Sequence, residues 1–594
     1  MTYDLLIVNG TIVDGTGAPP YRGDVAVRDG KIVAIGEIGE IGEIGEIGDI
    51  DEIDNANAAS ETIDAKGQIV TPGWVDIHTH FDGQATWDPL LTPSCWHGVT
   101  TVVMGNCGVG FAPVKPEARN WLVELMEGVE DIPGSALSEG IQWDWETFPE
   151  FIDALEKHPH AMDIGTQIPH GAVRGYVMGD RGAKNEPATP ADIEAMAAIV
   201  KEAIEAGALG FSSSRTLVHR ALDGEPVPGT FAAEDELFGI GMALKEAGAG
   251  VFELAPAGVM GEDLAAPRKE VAWMRKLSRE INRPVSFALL QIDQQPKLWQ
   301  EILEICDESR EEGSDLRPQV GSRPTMLLIG LQTFSPYSFR PTYAALAELP
   351  LDERVRELRK PEIKAQILGE APVDEDPLLA FVLSGMHKIF LLGEVPDYEP
   401  TADKSIEAIA KASGRDEHDV LYDAMLELDG KALLMVALVG YADGNLEAMR
   451  EMLEHPDTAF GLGDGGAHVG AICDASMTTY LLTHWTRDRK RGPKLSLEFA
   501  VKKMTKDTAE LYSLNDRGQL KVGYKADINV IDYDRLRLEL PYLVNDLPGG
   551  AKRLIQKAVG YTATIVSGVV TFRDGEETGA RPGAVIRGAQ CLVR

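Results

Sequence analysis

The chain has 594 residues, 44% hydrophobic and 25% charged, which is ample apolar material for a large core and excludes wholesale disorder. Its 56 basic and 94 acidic residues leave a net charge of −38. Such a surface repels phosphate backbones and anionic headgroups, so neither a nucleic-acid nor a membrane partner is expected. The five cysteines (Cys95, Cys107, Cys306, Cys473, Cys591) are few, odd in number and scattered, which fits a reducing cytoplasm better than a disulfide framework. No basic segment followed by a long apolar run opens the sequence, and no run reaches the ~18 apolar residues of a membrane span.

Residues 3 to 35 read as short alternating strands punctuated by Asn-Gly and Asp-Gly, which are hairpin signals. The C-terminal stretch repeats this style in KADINVIDYDRL, TATIVSGVV and TFRDGEETG. Two β-rich ends around a differently patterned middle predict one small β-sandwich built from residues 1–65 and 512–594. The low-complexity tract IGEIGEIGEIGEIGDIDEID (35–54) has a period of three that suits neither strand nor amphipathic helix. It reads as a solvent-exposed loop extension.

The middle, 66–511, alternates β-like runs with helical stretches. The runs are 69–79, 99–106, 162–169, 208–214, 250–256, 284–291, 316–322 and 459–466. Helical patterns such as ADIEAMAAIVKEAIEAG lie between most of them, and Thr189-Pro190-Ala191-Asp192 is a helix start. Eight such units predict an α/β fold, a (β/α)8 TIM barrel with its chemistry on the C-terminal strand ends. More than a hundred residues separate the last two runs, so a largely helical insertion (about 328–458) is expected there, as a lid or an interface.

The first run ends Asp76-Ile77-His78-Thr79-His80. Side chains two apart on a strand point the same way, so both imidazoles can face one ion. The second run ends in Cys107 between glycines, and a thiolate is a strong zinc ligand, although a lone buried Cys also serves as a small core hydrophobe. The eighth ends Gly463-Asp464-Gly465-Gly466-Ala467-His468, where Asp464 can ligate a metal and take a proton from water, or form an ordinary turn. His170, His219, Glu253 and His468 are further candidates for the site. Arg174, Arg215 and Arg323 follow strand ends and can clamp a substrate carboxylate through paired N–H bonds. No phosphate loop, dinucleotide fingerprint or G-x-S-x-G elbow is present.

VTPGWVDIHTHFDGQ (70–84) and DRGQLKVGYKADINVIDYD (516–534) resemble the signatures of the amidohydrolase superfamily. Within it, GVTTVVMGNCGVGFAP (98–113) and PATPADIEAMAAIVKEAIEAGALGFSSS (187–214) resemble the N-acyl-D-amino-acid deacylases, or D-aminoacylases. The resemblance implies a metal-dependent barrel flanked by a β-sandwich, and hydrolysis of the amide of an N-acyl-D-amino acid. It makes His78, His80 and Cys107 metal ligands and Asp464 the acid/base, itself a further ligand. One departure stands out. Those deacylases carry a metal-binding His on strands five and six, yet no histidine lies between His219 and His387. A single zinc, or another divalent metal, on His78, His80, Cys107 and Asp464 is the simplest reconstruction.

The main expectation is therefore a cytoplasmic, metal-dependent hydrolase of a C–N amide bond in a small molecule. A cyclic amide or amidine hydrolase, or a deaminase, on the same barrel is the alternative, and a catalytically silent scaffold is another. Self-association is common among barrel enzymes of this size, but no sequence feature marks an interface.

Overall fold

The structure is a computed structural model that describes residues 3–36, 59–374 and 377–590. Beyond its first two residues, the IGE tract lies outside the described residues, as does Cys591. Cys95, Cys107, Cys306 and Cys473 are buried free thiols. Among the described residues, no helix is long and apolar enough to cross a membrane.

Both ends of the chain meet in one nine-stranded mixed sheet. Ile69–Pro72 joins the two halves: it runs parallel to Tyr3–Ile12 on one side and antiparallel to Ile528–Ile531 on the other. Alternation along these strands puts Leu5, Ile7, Val25, Val530 and Ile565 into one apolar cluster, as period-two patterning requires. Asp29-Gly30 turns the hairpin between Tyr21–Arg28 and Lys31–Gly36, with both residues at positive φ. Asn9-Gly10 departs from its hairpin reading. It forms an irregularity inside Tyr3–Ile12, where the pairing register shifts between Ile7 and Gly10 and the Asn9 N–H donates to Asp24.

Each of the eight runs from the middle supplies a barrel strand. In chain order they are Trp74–Asp76, Val99–Met104, Asp163–Pro169, Gly210–Ser214, Val251–Ala255, Val285–Ala288, Leu316–Val320 and Ala459–Phe460, here called barrel strands one to eight. Each lies parallel to its neighbour in sequence order. Ladder pairing does not link strand eight back to strand one. A parallel bridge between Thr79 and Gly465 does so, and the His80 N–H donates to the Gly465 carbonyl at 2.7 Å.

The first run splits into two strands at Gly73. Ile69–Pro72 belongs to the terminal sheet and Trp74–Asp76 to the barrel, and a Cβ at Gly73 would collide with the Thr100 side chain. Below the barrel, Arg517 and Lys525 both reach the buried Asp163 carboxylate, at 2.6 and 2.8 Å, tying the return segment to strand three.

Between strands seven and eight the chain is not purely helical. Thr325–Ile329, Ile389–Leu391 and Leu434–Val439 form a three-stranded antiparallel sheet. Helices including Leu351–Leu358, Ile406–Ser413 and Glu417–Met425 pack on it around Ile329, Tyr337, Leu421 and Leu434. This segment has its own core, and part of it overhangs the mouth of the barrel.

Candidate metal centre

His78 and His80 leave strand one with their rings 5.4 Å apart, in an edge-on arrangement. Cys107 reaches them through a tight left-handed loop: Gly105, Cys107 and Gly108 all have positive φ. The flanking glycines are required there, because a Cβ at Gly105 would strike the Gln167 backbone and one at Gly108 the backbone of Ser213 and Ser214. The Cys107 Sγ lies 3.4 Å from His78 Nε2. One donor atom each from His78, His80 and Cys107 falls within 4.8 Å of the others, a spacing that can hold a metal ion. Asp464 joins from strand eight, with Oδ1 3.3 Å from His78 Nε2 and 3.7 Å from His80 Nε2.

A second layer fixes these rings. Gln319, on strand seven, donates from Nε2 to Ser286 Oγ at 3.0 Å, so its Oε1 faces His78 Nδ1 at 2.8 Å. That contact places the imidazole proton on Nδ1 and leaves the Nε2 lone pair free for an ion. Glu130, buried at the end of helix Arg119–Glu130, puts Oε1 3.3 Å from His80 Nδ1, an electrostatic contact in which neither atom has a hydrogen-bond partner. Its other oxygen lies 3.5 Å from His468 Nε2. On strand five, Glu253 accepts the Cys107 N–H at 3.0 Å and leaves its buried Oε1 without a hydrogen-bond partner, 4.0 Å from His78 Nδ1.

Burial pushes the Glu253 carboxyl up to about 8 and the Cys107 thiol well above its ordinary value. Burial would also raise Asp464, but the neighbouring His80 and His78 imidazoles hold it well below the usual carboxylate range. His80 is pushed up to about 9: burial opposes its charge, and Glu130 and Asp464 outweigh burial. Asp464 is therefore ionised at neutral pH.

The donors open into a cavity of about 610 Å³. Val218 and Leu222, after strand four, and Met260, after strand five, form one wall. Leu327, Phe334 and Leu438 of the insertion form another, so this part of the insertion acts as a wall of the pocket.

A family model described as "Amidohydrolase family" matches residues 61–572, most of the chain. The chain belongs to the amidohydrolase family. This amidohydrolase is 26% identical over 97% of its length, and 93% of the relative's, to an uncharacterised protein of Mycobacterium tuberculosis. It is 26% identical to the D-aminoacylase of Alcaligenes xylosoxydans xylosoxydans, over 98% of this chain and 97% of that one. Among solved structures, the N-acyl-D-glutamate deacylase of Bordetella bronchiseptica, complexed with zinc and a phosphonate inhibitor, shares the fold. It superposes with a TM-score of 0.63 at 23% identity, covering 99% of this chain and 100% of the other.

The remaining candidates of the amidohydrolase divide sharply. His219 lines the cavity, with Nδ1 3.0 Å from Ser214 Oγ; burial, then the charges of His468 and His80, push it down to about 4, so it is neutral. His468 also lines the cavity. His170 does not join them: its ring is buried between Ser213 Oγ and Glu236, each at 2.9 Å.

The three arginines do not form a carboxylate clamp. Arg174 is fully buried against Glu236 and the Glu186 carbonyl. Arg215 pairs with Glu270 at 2.8 Å and covers Trp273. Arg323 is buried between Asp474, the Cys473 carbonyl and the Tyr398 ring. Strand ends position these guanidinium groups, but acidic partners on neighbouring elements take them first. Glu130 and Gln319 went unread in the sequence, since neither sits in a motif or beside another candidate.

Proposed function

We propose that this amidohydrolase hydrolyses the linear amide of an N-acylated small molecule, with His78, His80 and Cys107 holding one divalent cation and Asp464 moving the proton. The carrying observation is the convergence of those three donor atoms with an ionised carboxylate 3.3 Å from His78. Two imidazoles and a thiolate leave a coordination position open and suit zinc; the far nitrogen of His78 is hydrogen-bonded to Gln319, and that of His80 faces the Glu130 carboxylate at 3.3 Å. On strand five, where the deacylases carry histidine, this chain has Glu253, whose buried Oε1 has no hydrogen-bond partner. Zinc in the complex of the structural relative, and the name D-aminoacylase of the sequence relative, support the metal and the linear amide over a cyclic one.

A bound cation would supply polarisation of the amide carbonyl and a more acidic water. The chain's own groups do the rest. Asp464 accepts a proton from the attacking water as its oxygen bonds to the carbonyl carbon. It then returns that proton to the nitrogen as the C–N bond breaks, releasing a carboxylic acid and an amine. His219, neutral and anchored through Nδ1, keeps Nε2 for a hydrogen bond to the substrate. The test is a panel on zinc-loaded protein: N-acyl-D- and L-amino acids, N-acyl amines, lactams and aminopurines. Equimolar release of acid and amine from linear amides is expected. Activity confined to lactams or aminopurines, or none at all, overturns the proposal.

A further inference from the structure

Resting on the amide-hydrolysis reading above, we infer that the cavity selects amides with an apolar, uncharged group beside the scissile nitrogen, and that it discriminates against a free carboxylate there. An N-acyl-D-amino acid carries its carboxylate one carbon from the scissile nitrogen. Wherever the amide meets Asp464, that carboxylate must enter the same cavity. Recognition of a buried carboxylate ordinarily uses a guanidinium or ammonium, and burying the charge without one is costly.

The walls offer the opposite chemistry. Val218, Leu222, Met260, Leu290, Leu327 and Phe334 present hydrocarbon from four separate segments of the chain. Val218 and Leu222 are 51% and 59% exposed, apolar surface that an apolar group would cover. Apart from the imidazoles of the donor set, the charged groups on the walls are the carboxylates Glu127, Glu130, Asp131 and Asp464, and among the described residues lining the cavity none is Lys or Arg.

The backbone adds to this. Helix Arg119–Glu130 ends at the cavity, with Glu127 to Asp131 on its wall, so the carbonyl end of the helix faces the substrate and its dipole disfavours an anion. The arginines nearest in sequence to the strand ends, Arg174, Arg215 and Arg323, are held by Glu236, Glu270 and Asp474. Recruiting one would leave a buried carboxylate unpaired. With a net charge of −38 on the whole chain, long-range repulsion also works against an anionic substrate. At about 610 Å³ the cavity has the volume of sites that take drug-sized ligands, enough for apolar chains on both sides of the amide.

Two compounds isolate the effect: N-octanoyl-isopentylamine and N-octanoyl-D-leucine, which share a skeleton and differ by the carboxylate. Zinc-loaded protein is titrated with each by calorimetry at low temperature, and octanoate release is followed in parallel. Binding of the uncharged amide at least tenfold tighter is expected. Equal or tighter binding of the D-leucine compound, or no binding of either at millimolar concentration, overturns the inference. Octanoate release bears separately on the catalytic reading. Tenfold selectivity without release faults the hydrolase proposal and leaves the selectivity standing, whereas release with a preference for the acid does the reverse.

Discussion

The side-chain amide of Gln319 and the imidazole of His78 meet at 2.8 Å across the barrel, from strand seven to the end of strand one. The contact sets which ring nitrogen carries the proton, and so which one faces Cys107 and Asp464. The Glu130 carboxylate faces the far nitrogen of His80 at 3.3 Å, so both histidines of strand one meet a polar group from another element on the side away from Asp464.

Asp464→Asn keeps the size of the side chain and removes its basicity. Turnover of linear amides is expected to fall by about 10²- to 10⁴-fold, the usual worth of a positioned general base. Metal content per chain, read by elemental analysis, is expected to stay near that of the wild type. Undiminished kcat in a metal-replete variant would remove Asp464 from its role.

Glu130→Gln tests a positioning residue. The variant still fills its site but orients His80 less firmly, and zinc affinity measured by chelator competition is expected to weaken about 10- to 100-fold. The melting temperature of the zinc-free protein should hardly move. A purely structural role would give the converse pattern, with stability lost and affinity kept.

Zinc should stabilise the folded chain by mass action, about 4 kcal/mol at a thousandfold excess over Kd. In Cys107→Ser the thermal shift on adding zinc is expected to shrink markedly, because an alcohol is a poor substitute for a thiolate ligand. Equal shifts in both proteins would mean that Cys107 is not a ligand.

Glu236 provides a pH signature away from the centre. Burial opposes its charge, yet His170 and Arg174 pull it down to about 2 from an ordinary 4.5. A depressed carboxyl contributes stability above its unfolded value, and loses it as pH falls from about 4.5 through about 2. Glu236→Gln leaves Arg174 buried without its counter-charge, so a loss of about 3–5 kcal/mol is expected at pH 7. In denaturant titrations the gap to the wild type should close as pH drops through that window. A gap independent of pH would show that the ion pair is not its source.

Much of this was legible in the sequence, for identifiable reasons. Strand runs bounded by turn residues gave eight barrel strands, because fully buried parallel strands are continuous apolar segments. His78 and His80 were readable as a pair because a strand repeats every two residues, and the Gly-rich surroundings of Cys107 and Asp464 marked chain that turns sharply at a strand end. The arginines misled because their position after strands was visible and their partners were not: Glu236, Glu270 and Asp474 lie 55 to 151 residues away along the chain. Glu130 and Gln319 were invisible for the same cause, since an outer-layer contact is defined only by the closed barrel. The insertion was read as largely helical because its β-runs are short and separated by tens of residues from their pairing partners.

The bridge between Thr79 and Gly465 has a kinetic corollary. His78 and His80 come from the first strand and Asp464 from the last, so the donors and the proton acceptor become neighbours only when the ring is finished. An unfinished chain, whether nascent or cut short before residue 459, would carry both imidazoles and the thiol yet lack the Asp464 carboxylate. Enzymatic competence would thus serve as a signal that synthesis and folding have both run to completion.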